Sequence, residues 1–302
     1  MHVRDAPADE QWLHQQRELL GALLLHVGLK QKGNWLAELH RRVTGLIAPE
    51  FLRVYCDREP TAEEYAAIHA ETALALHPYR QRGSIVTCPL MLQYRWYVMS
   101  PVEHLVGFSI PSDEALRIIS KYAPVVEVGA GTGYWSAALQ ERGVDVIAYD
   151  IEPPTGPLNN VWFGQGTYTQ VHKGSGPQLF GASNTSAHSA QLNQRTLLMV
   201  WPNNADVVDN PHLVTDGVPR LQPWDTECLL AFLSAGGTTV VYVGEREDAL
   251  RLTRGAQPDC GVSSSRQFQR LLREHFTCVE STPLPSWWMQ ADDLTVWQRE
   301  RA

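Results

Sequence analysis

The chain has 302 residues, 44% hydrophobic and 19% charged, and its 25 basic and 33 acidic side chains leave a net charge of −8. This composition excludes disordered, collagen-like and coiled-coil chains, and the length suffices for one large domain whose core needs no disulfide or metal. The surplus of acids argues against a broad electrostatic grip on nucleic acid, leaving only a local basic groove open.

Residues recurring at three- and four-residue spacing (Trp12, Leu19, Leu20, Leu23, Leu24 and Val27, then, after a break at Gly33, Trp35, Leu36, Leu39, Val43 and Ile47) predict helices from 9 to about 46. Thr61-Ala-Glu-Glu64 has the form of a capping box and opens a helix to about 76, stopped by Pro78. Residues 86–108 are rich in aromatics, including Tyr94, Trp96, Tyr97 and Phe108, but lack a clean period; a short helix follows from Pro111 and Ser112 to 120. After Ala123-Pro124 the pattern changes. Strands are expected at 125–128, 144–149, near 168–172, at 195–201 and at 238–243. Helices are expected at 134–142, 226–233 and 264–275, and two last strands at 276–281 and 294–298. Segments 152–166, 174–194 and 202–223 read as loops. The alternation predicts an α/β fold: a Rossmann-like, doubly wound, mostly parallel sheet over 108–302 ending in a hairpin, preceded by a helical region over 1–107.

The five cysteines (Cys56, Cys88, Cys228, Cys260 and Cys278) contain no Cys-x-x-Cys pair, so no zinc site or disulfide framework is expected and a reducing compartment is the default. The longest apolar run, 19–29, contains His26 and is too short to span a bilayer; Asp5, Asp9 and Glu10 before it do not suit a secretory signal. A cytoplasmic protein is expected, with a nuclear location left open.

The most informative segment is Val125-Val-Glu-Val-Gly129-Ala-Gly131-Thr-Gly133-Tyr-Trp135, a hydrophobic strand running into a glycine turn and then a helix. Glycine lets a ligand approach the main chain, and the helix behind offers free N–H groups. Nicotinamide and flavin folds share this layout, so a glycine loop alone does not choose the ligand. Two details do. The position of the third dinucleotide-fingerprint glycine holds Tyr134, too bulky for the close helix–strand contact. Glu127, two residues before the first glycine, would repel a pyrophosphate but suits a ligand with a cationic amino-acid portion, such as S-adenosylmethionine. Asp150 ends the second strand, 17 residues after Gly133, and is placed to accept hydrogen bonds from both ribose hydroxyls.

Glu127-Val-Gly-Ala-Gly-Thr-Gly133 followed by a strand ending in Asp150 resembles the cofactor half of class I S-adenosylmethionine-dependent methyltransferases, whose last strand runs antiparallel. A closer resemblance covers about 180 residues, through Phe108-Ser-Ile-Pro111, the glycine loop, Arg195-Thr-Leu-Leu-Met-Val-Trp-Pro202 and Val241-Tyr-Val-Gly-Glu245 to Pro285. It is to a little-characterised group of such enzymes sharing Ile-Pro, Trp-Pro and Val-Gly-Glu elements. The resemblance implies that Glu127 meets the methionine ammonium and that Gly129, Ala130, Gly131, Thr132 and Gly133 line the cofactor. It further implies that Asp150 binds the ribose and Ile151 packs on the adenine. Phe108 and Pro111 are expected among the cofactor-binding residues, and Tyr94, Tyr97 and Phe108 either close over the cofactor from the N-terminal side or form a domain interface. Trp201-Pro202-Asn203 stands where many amine methyltransferases carry Asp/Asn-Pro-Pro-aromatic; Trp201 replaces the polar first residue and Asn203 the second proline. Trp201 is read either as a stacking platform for a planar acceptor or as core.

Transfer from a sulfonium is a direct displacement, so in-line positioning supplies much of the rate and a base helps only a protonated nucleophile. Sheet-end candidates are His172 and Glu245; the first is alternatively an exposed His beside Lys173, the second an exposed loop acid. No His-Glu-x-x-His, phosphate-loop or Gly-x-Ser-x-Gly motif is present, and no metal is expected. His104, His188 and His212 show no ligand spacing, and the basic pairs Lys30/Lys32, Arg41/Arg42 and Arg80/Arg82 read as solvated faces. The expected function is methyl transfer from S-adenosylmethionine to an unidentified acceptor. A small molecule or one exposed group is favoured; an RNA nucleobase is the alternative, and a non-catalytic methyltransferase-like subunit is a rival of another class. An aromatic pocket drawn from Trp96, Tyr97, Phe108, Trp201 and Trp287 would suit a planar or apolar acceptor.

Overall fold

The computed structural model describes residues 36–37, 100–154, 166–181, 189–202, 223–246, 263–287 and 292–300. Leu36 and Ala37 are helical; the rest of the helices expected over 9–46 and 61–76, the aromatics Tyr94, Trp96 and Tyr97, the basic pairs, His188, His212 and Asn203 lie outside these residues. Among them run α1 (Ser100–Leu105), α2 (Asp113–Ser120), β1 (Val125–Val128), α3 (Tyr134–Gln140), β2 (Val146–Asp150), β3 (Val171–Lys173), α4 (Gly176–Phe180) and α5 (Ser189–Leu192). They continue with β4 (Thr196–Val200), α6 (Trp224–Ser234), β5 (Thr239–Glu245), α7 (Arg266–His275), β6 (Thr277–Pro283) and β7 (Asp292–Gln298).

The strands form one sheet in the order β3-β2-β1-β4-β5-β7-β6, with β1 to β5 parallel and β7 antiparallel to both its neighbours. This is the Rossmann-like arrangement with an antiparallel last strand that the alternation and the resemblance implied. The terminal hairpin folds back so that β7, not β6, pairs with β5, register Val241↔Val296.

Each central strand is apolar on both faces because helices cover both. Val126, Val128, Leu197, Met199, Val240 and Tyr242 pack with Leu229 and Phe232 of α6 and Phe268 and Leu272 of α7. Their neighbours Val125, Leu198, Val241 and Val243 point the other way, onto Leu116 and Ile119 of α2 and Trp135 and Leu139 of α3. Ser112 caps α2 by accepting from Ala115 N, and Ser265 caps α7 by accepting from Phe268 N. Buried Asp225 joins α6 to α7, accepting from Ser265 N at 2.7 Å and Ser265 Oγ at 2.9 Å.

Three expectations need correction. Segment 174–194 is not all loop: it holds α4 and α5, where Ser175 and Gln178 make a capping box around Pro177. These helices are too short to show a period. Helix α1 likewise lies in the aromatic-rich stretch that showed none. The third strand is Val171–Lys173 rather than 168–172, because Tyr168 N donates to Thr132 O at 2.8 Å instead of joining the ladder.

Candidate functional site

The chain order of the sheet reverses between β1 and β4, and in open α/β folds ligands lie at that point, off the carboxyl ends of the strands. A cavity of about 510 Å³ opens there. That is within the range of sites that enclose a cofactor-sized molecule. Its floor is the end of β1 and the glycine turn: Glu127, Val128, Gly129, Ala130 and Gly131. Gly129, Gly131 and Gly133 have φ of +77°, +52° and +73°, a left-handed run that side chains resist. Gly129 N and Ala130 N donate to Tyr149 O, which ties the turn to β2.

Glu127 is 2% exposed, lines the cavity, and accepts from Ser136 Oγ at 2.5 Å. Burial pushes its carboxyl up to about 7, against the pull of the Ser136 hydrogen bonds. A buried acid beneath an open cavity is the counterpart of a ligand cation. Asp150 lies beside it: Oδ2 accepts from Gly131 N at 2.8 Å and Oδ1 from Glu152 N at 2.9 Å. Each carboxylate oxygen keeps a further lone pair for a ligand hydroxyl. Ile151, next along, is 64% exposed and lines the cavity, an apolar surface for a planar base. The ammonium, ribose and adenine of S-adenosylmethionine would each meet a matching group, so the residues fit that cofactor.

Not every expected residue reaches the cavity. Thr132 turns away, its hydroxyl donating to Val106 O, and Gly133 caps α3; a Cβ there would meet Val171 Cγ2 at 2.8 Å. Pro111 is buried outside the lining. Tyr134 lines the cavity and accepts from Leu36 N at 3.0 Å, an anchor for the preceding region that no fingerprint glycine could provide. His172 is exposed on edge strand β3, its ring 5.4 Å from Tyr149, and is not among the lining residues. Glu245 is not an exposed loop acid: it ends β5 wholly buried, opposite Asp292, and does not line the cavity either. Trp287 is 1% exposed and also packs away from the cavity.

The other wall is aromatic. Phe108 and Trp201 stack at 5.7 Å with 18° between planes, His104 meets Phe108 edge-on at 5.5 Å, and Pro202 adjoins them. Trp201 is the non-glycine residue with positive φ among the described residues, at 47°. Sequence reading missed Trp224, Glu227 and Gly174 to Pro177, which close the cavity from α6 and α4. Trp224 is exposed and lies directly on the turn, so that a Cβ at Gly129 would collide with its indole ring. The capping box of α4 was a legible signal for part of this wall; Trp224 had none.

Among the described residues no group of three or more His, Cys, Asp or Glu is placed to hold a metal ion, and no helix is long and apolar enough to cross a membrane. No family model matches the sequence, and no curated protein does. Among solved structures the chain is similar to magnesium protoporphyrin IX methyltransferase from Synechocystis PCC 6803 with bound SAH (10% identity, 78% of this chain, 99% of that chain, TM-score 0.36). It is also similar to N-methyltransferase NodS from Bradyrhizobium japonicum (11% identity, 59% of this chain, 85% of that chain, TM-score 0.34). A third is precorrin-6y C5,15-methyltransferase from Geobacter metallireducens (9% identity, 65% and 93% covered, TM-score 0.33). Likenesses this slight carry no argument about what the chain acts on.

Proposed function

We propose that the protein is an S-adenosylmethionine-dependent methyltransferase whose acceptor is a small molecule or a single exposed group with a planar or apolar face. The observation that carries the reading is the buried Glu127 carboxyl at the floor of the cavity, under the left-handed glycine turn and beside Asp150. A pyrophosphate-bearing dinucleotide would meet that acid with repulsion, whereas an ammonium relieves its burial. When bound, S-adenosylmethionine supplies a methyl group on a positively charged sulfur. Glu127 holds the ammonium of the cofactor's amino-acid end and Asp150 its ribose hydroxyls, and the glycine turn shapes the floor beneath them. Phe108, Trp201 and Pro202 form an apolar wall that excludes water and orients the acceptor, the step from which such displacements gain most. The region over 1–107 serves the acceptor rather than the cofactor; Val106, Gly107 and Leu36 are where it meets the site.

S-adenosylhomocysteine is expected to raise the melting temperature through selective binding to the folded state, and NADH to leave it unchanged. The reverse pattern ends the methyltransferase reading. Transfer of labelled methyl groups into small-molecule, protein and RNA fractions then finds the acceptor. Label in the small-molecule fraction is expected; label in RNA alone would promote the nucleobase alternative, and none at all the inert-subunit rival. Asp150→Ala is expected to weaken S-adenosylhomocysteine binding by about 1–3 kcal/mol in calorimetry, through the lost ribose contact and the unpaired Gly131 N–H. An unchanged affinity would take Asp150 out of the cofactor site.

A further inference from the structure

Trp201 is held in an unusual way. Its φ of 47° lies in the left-handed region, where a bulky non-glycine residue persists only if its surroundings fix it. Two ties do so. Trp201 N donates to Val243 O at 2.9 Å, which binds the corner to β5, and the indole Nε1 donates to Asp292 Oδ1 at 2.9 Å. Asp292 is 4% exposed and opens β7, 91 residues along the chain. It is itself fixed: its N–H donates to Ser286 Oγ at 3.0 Å, its carbonyl accepts from Leu284 N at 3.0 Å, and it faces Glu245 in register. A carboxyl so deep in the sheet is costly unless it is hydrogen-bonded, and the indole N–H of Trp201 is one of the donors that offset its burial. The group it touches lines the cavity; Asp292 does not.

We propose that Asp292 is a positioning residue for acceptor recognition, fixing the indole of Trp201 as the rigid wall against which the acceptor is presented. This rests on the methyltransferase reading of the cavity and assigns acceptor selection to Trp201, with Asp292 acting only through it. The Trp201–Phe108 stack extends the held surface, so the lock sets the orientation of both rings. Burial first, and then the facing Glu245, push the Asp292 carboxyl well above its usual range, which favours the neutral form. A neutral carboxyl accepts from an indole N–H as an amide oxygen does, so Asp292→Asn preserves the lock and Asp292→Leu removes it.

The test follows the indole N–H of Trp201 in nitrogen-15 correlation spectra of the full chain, assigned by its disappearance in Trp201→Phe. The wild-type signal is expected to exchange slowly with solvent, Asp292→Asn to keep that protection, and Asp292→Leu to lose it. S-adenosylhomocysteine affinity, measured in parallel, is expected to stay within a few-fold in both variants. Labelled-methyl transfer to the acceptor fraction should fall on the order of a hundredfold in Asp292→Leu and recover in Asp292→Asn, as for a misplaced reacting group. A wild-type indole that exchanges freely overturns the proposal, as does loss of protection or of transfer in a folded Asp292→Asn. These readouts stand even if Asp292→Leu does not fold. Failure of wild-type S-adenosylhomocysteine binding would instead remove the methyltransferase reading, leaving the indole lock to be judged by its exchange.

Discussion

Gly131→Val is expected to abolish S-adenosylhomocysteine binding while leaving a folded protein. Gly131 has φ of +52° and lines the cavity between Ala130 and Asp150. A β-branched residue in that conformation costs on the order of 1–2 kcal/mol of stability, which a domain of this size tolerates. The side chain would also occupy the cavity where the cofactor must approach the main chain, and affinity has no such reserve. The Gly131 N–H donates to Asp150 Oδ2 at 2.8 Å, so a shift of the turn would misplace the ribose-binding acid as well. Gly131→Ala carries the same φ penalty with less bulk and should bind weakly. Circular dichroism and calorimetry separate the two effects. A folded valine variant that binds within a few-fold of wild type would mean that the ligand does not lie over this turn.

The parts of this site that the sequence disclosed are those written in consecutive residues. Val125 to Tyr134 carry strand, turn and helix N-terminus in ten positions, and Asp150 ends the next strand at a fixed distance. Burial of β1 on both faces follows from its three valines at the centre of a helix-covered sheet; Glu127 is buried with them although its residue type does not announce it. What stayed hidden depends on contacts between distant segments. Trp224 and Trp287 are both tryptophans near element ends, yet one lies on the glycine turn and the other is sealed in the interior. Residue type alone does not say which side of a sheet an aromatic faces. Glu245 looked like a loop acid because Glu-Arg-Glu-Asp is polar; pairing with β7 extends β5 through it and buries it. The tie between Trp201 and Asp292 exists only because the terminal hairpin inserts β7 beside β5.

Glu127 gives the second large effect, and its sign differs between the free and the bound protein. In the ligand-free chain burial raises its carboxyl to about 7, above its value in the unfolded state. A raised folded-state value means stability that is fully present below the unfolded value and lost as pH rises through about 7. The loss amounts to about 3 kcal/mol by the conversion of shift to free energy. Glu127→Gln keeps an acceptor for the Ser136 hydroxyl and carries no charge to bury, so the free variant is expected to be more stable than wild type at pH 8. Binding reverses the preference. An ammonium over the cavity floor favours the ionised carboxylate, so S-adenosylhomocysteine affinity should climb with pH below 7, approaching about tenfold per pH unit, and level off above. Calorimetry near pH 6 in buffers of different ionisation enthalpy should register release of close to one proton per ligand. In Glu127→Gln that release and the pH slope should vanish, and affinity at pH 8 should fall by at least about 2 kcal/mol, the size of a charge-assisted hydrogen bond. A variant more stable yet weaker in binding is a pairing that simple misfolding cannot produce. Equal affinity in the two proteins, or a wild-type affinity flat with pH, would remove Glu127 from the ammonium contact and return the cavity to other ligands.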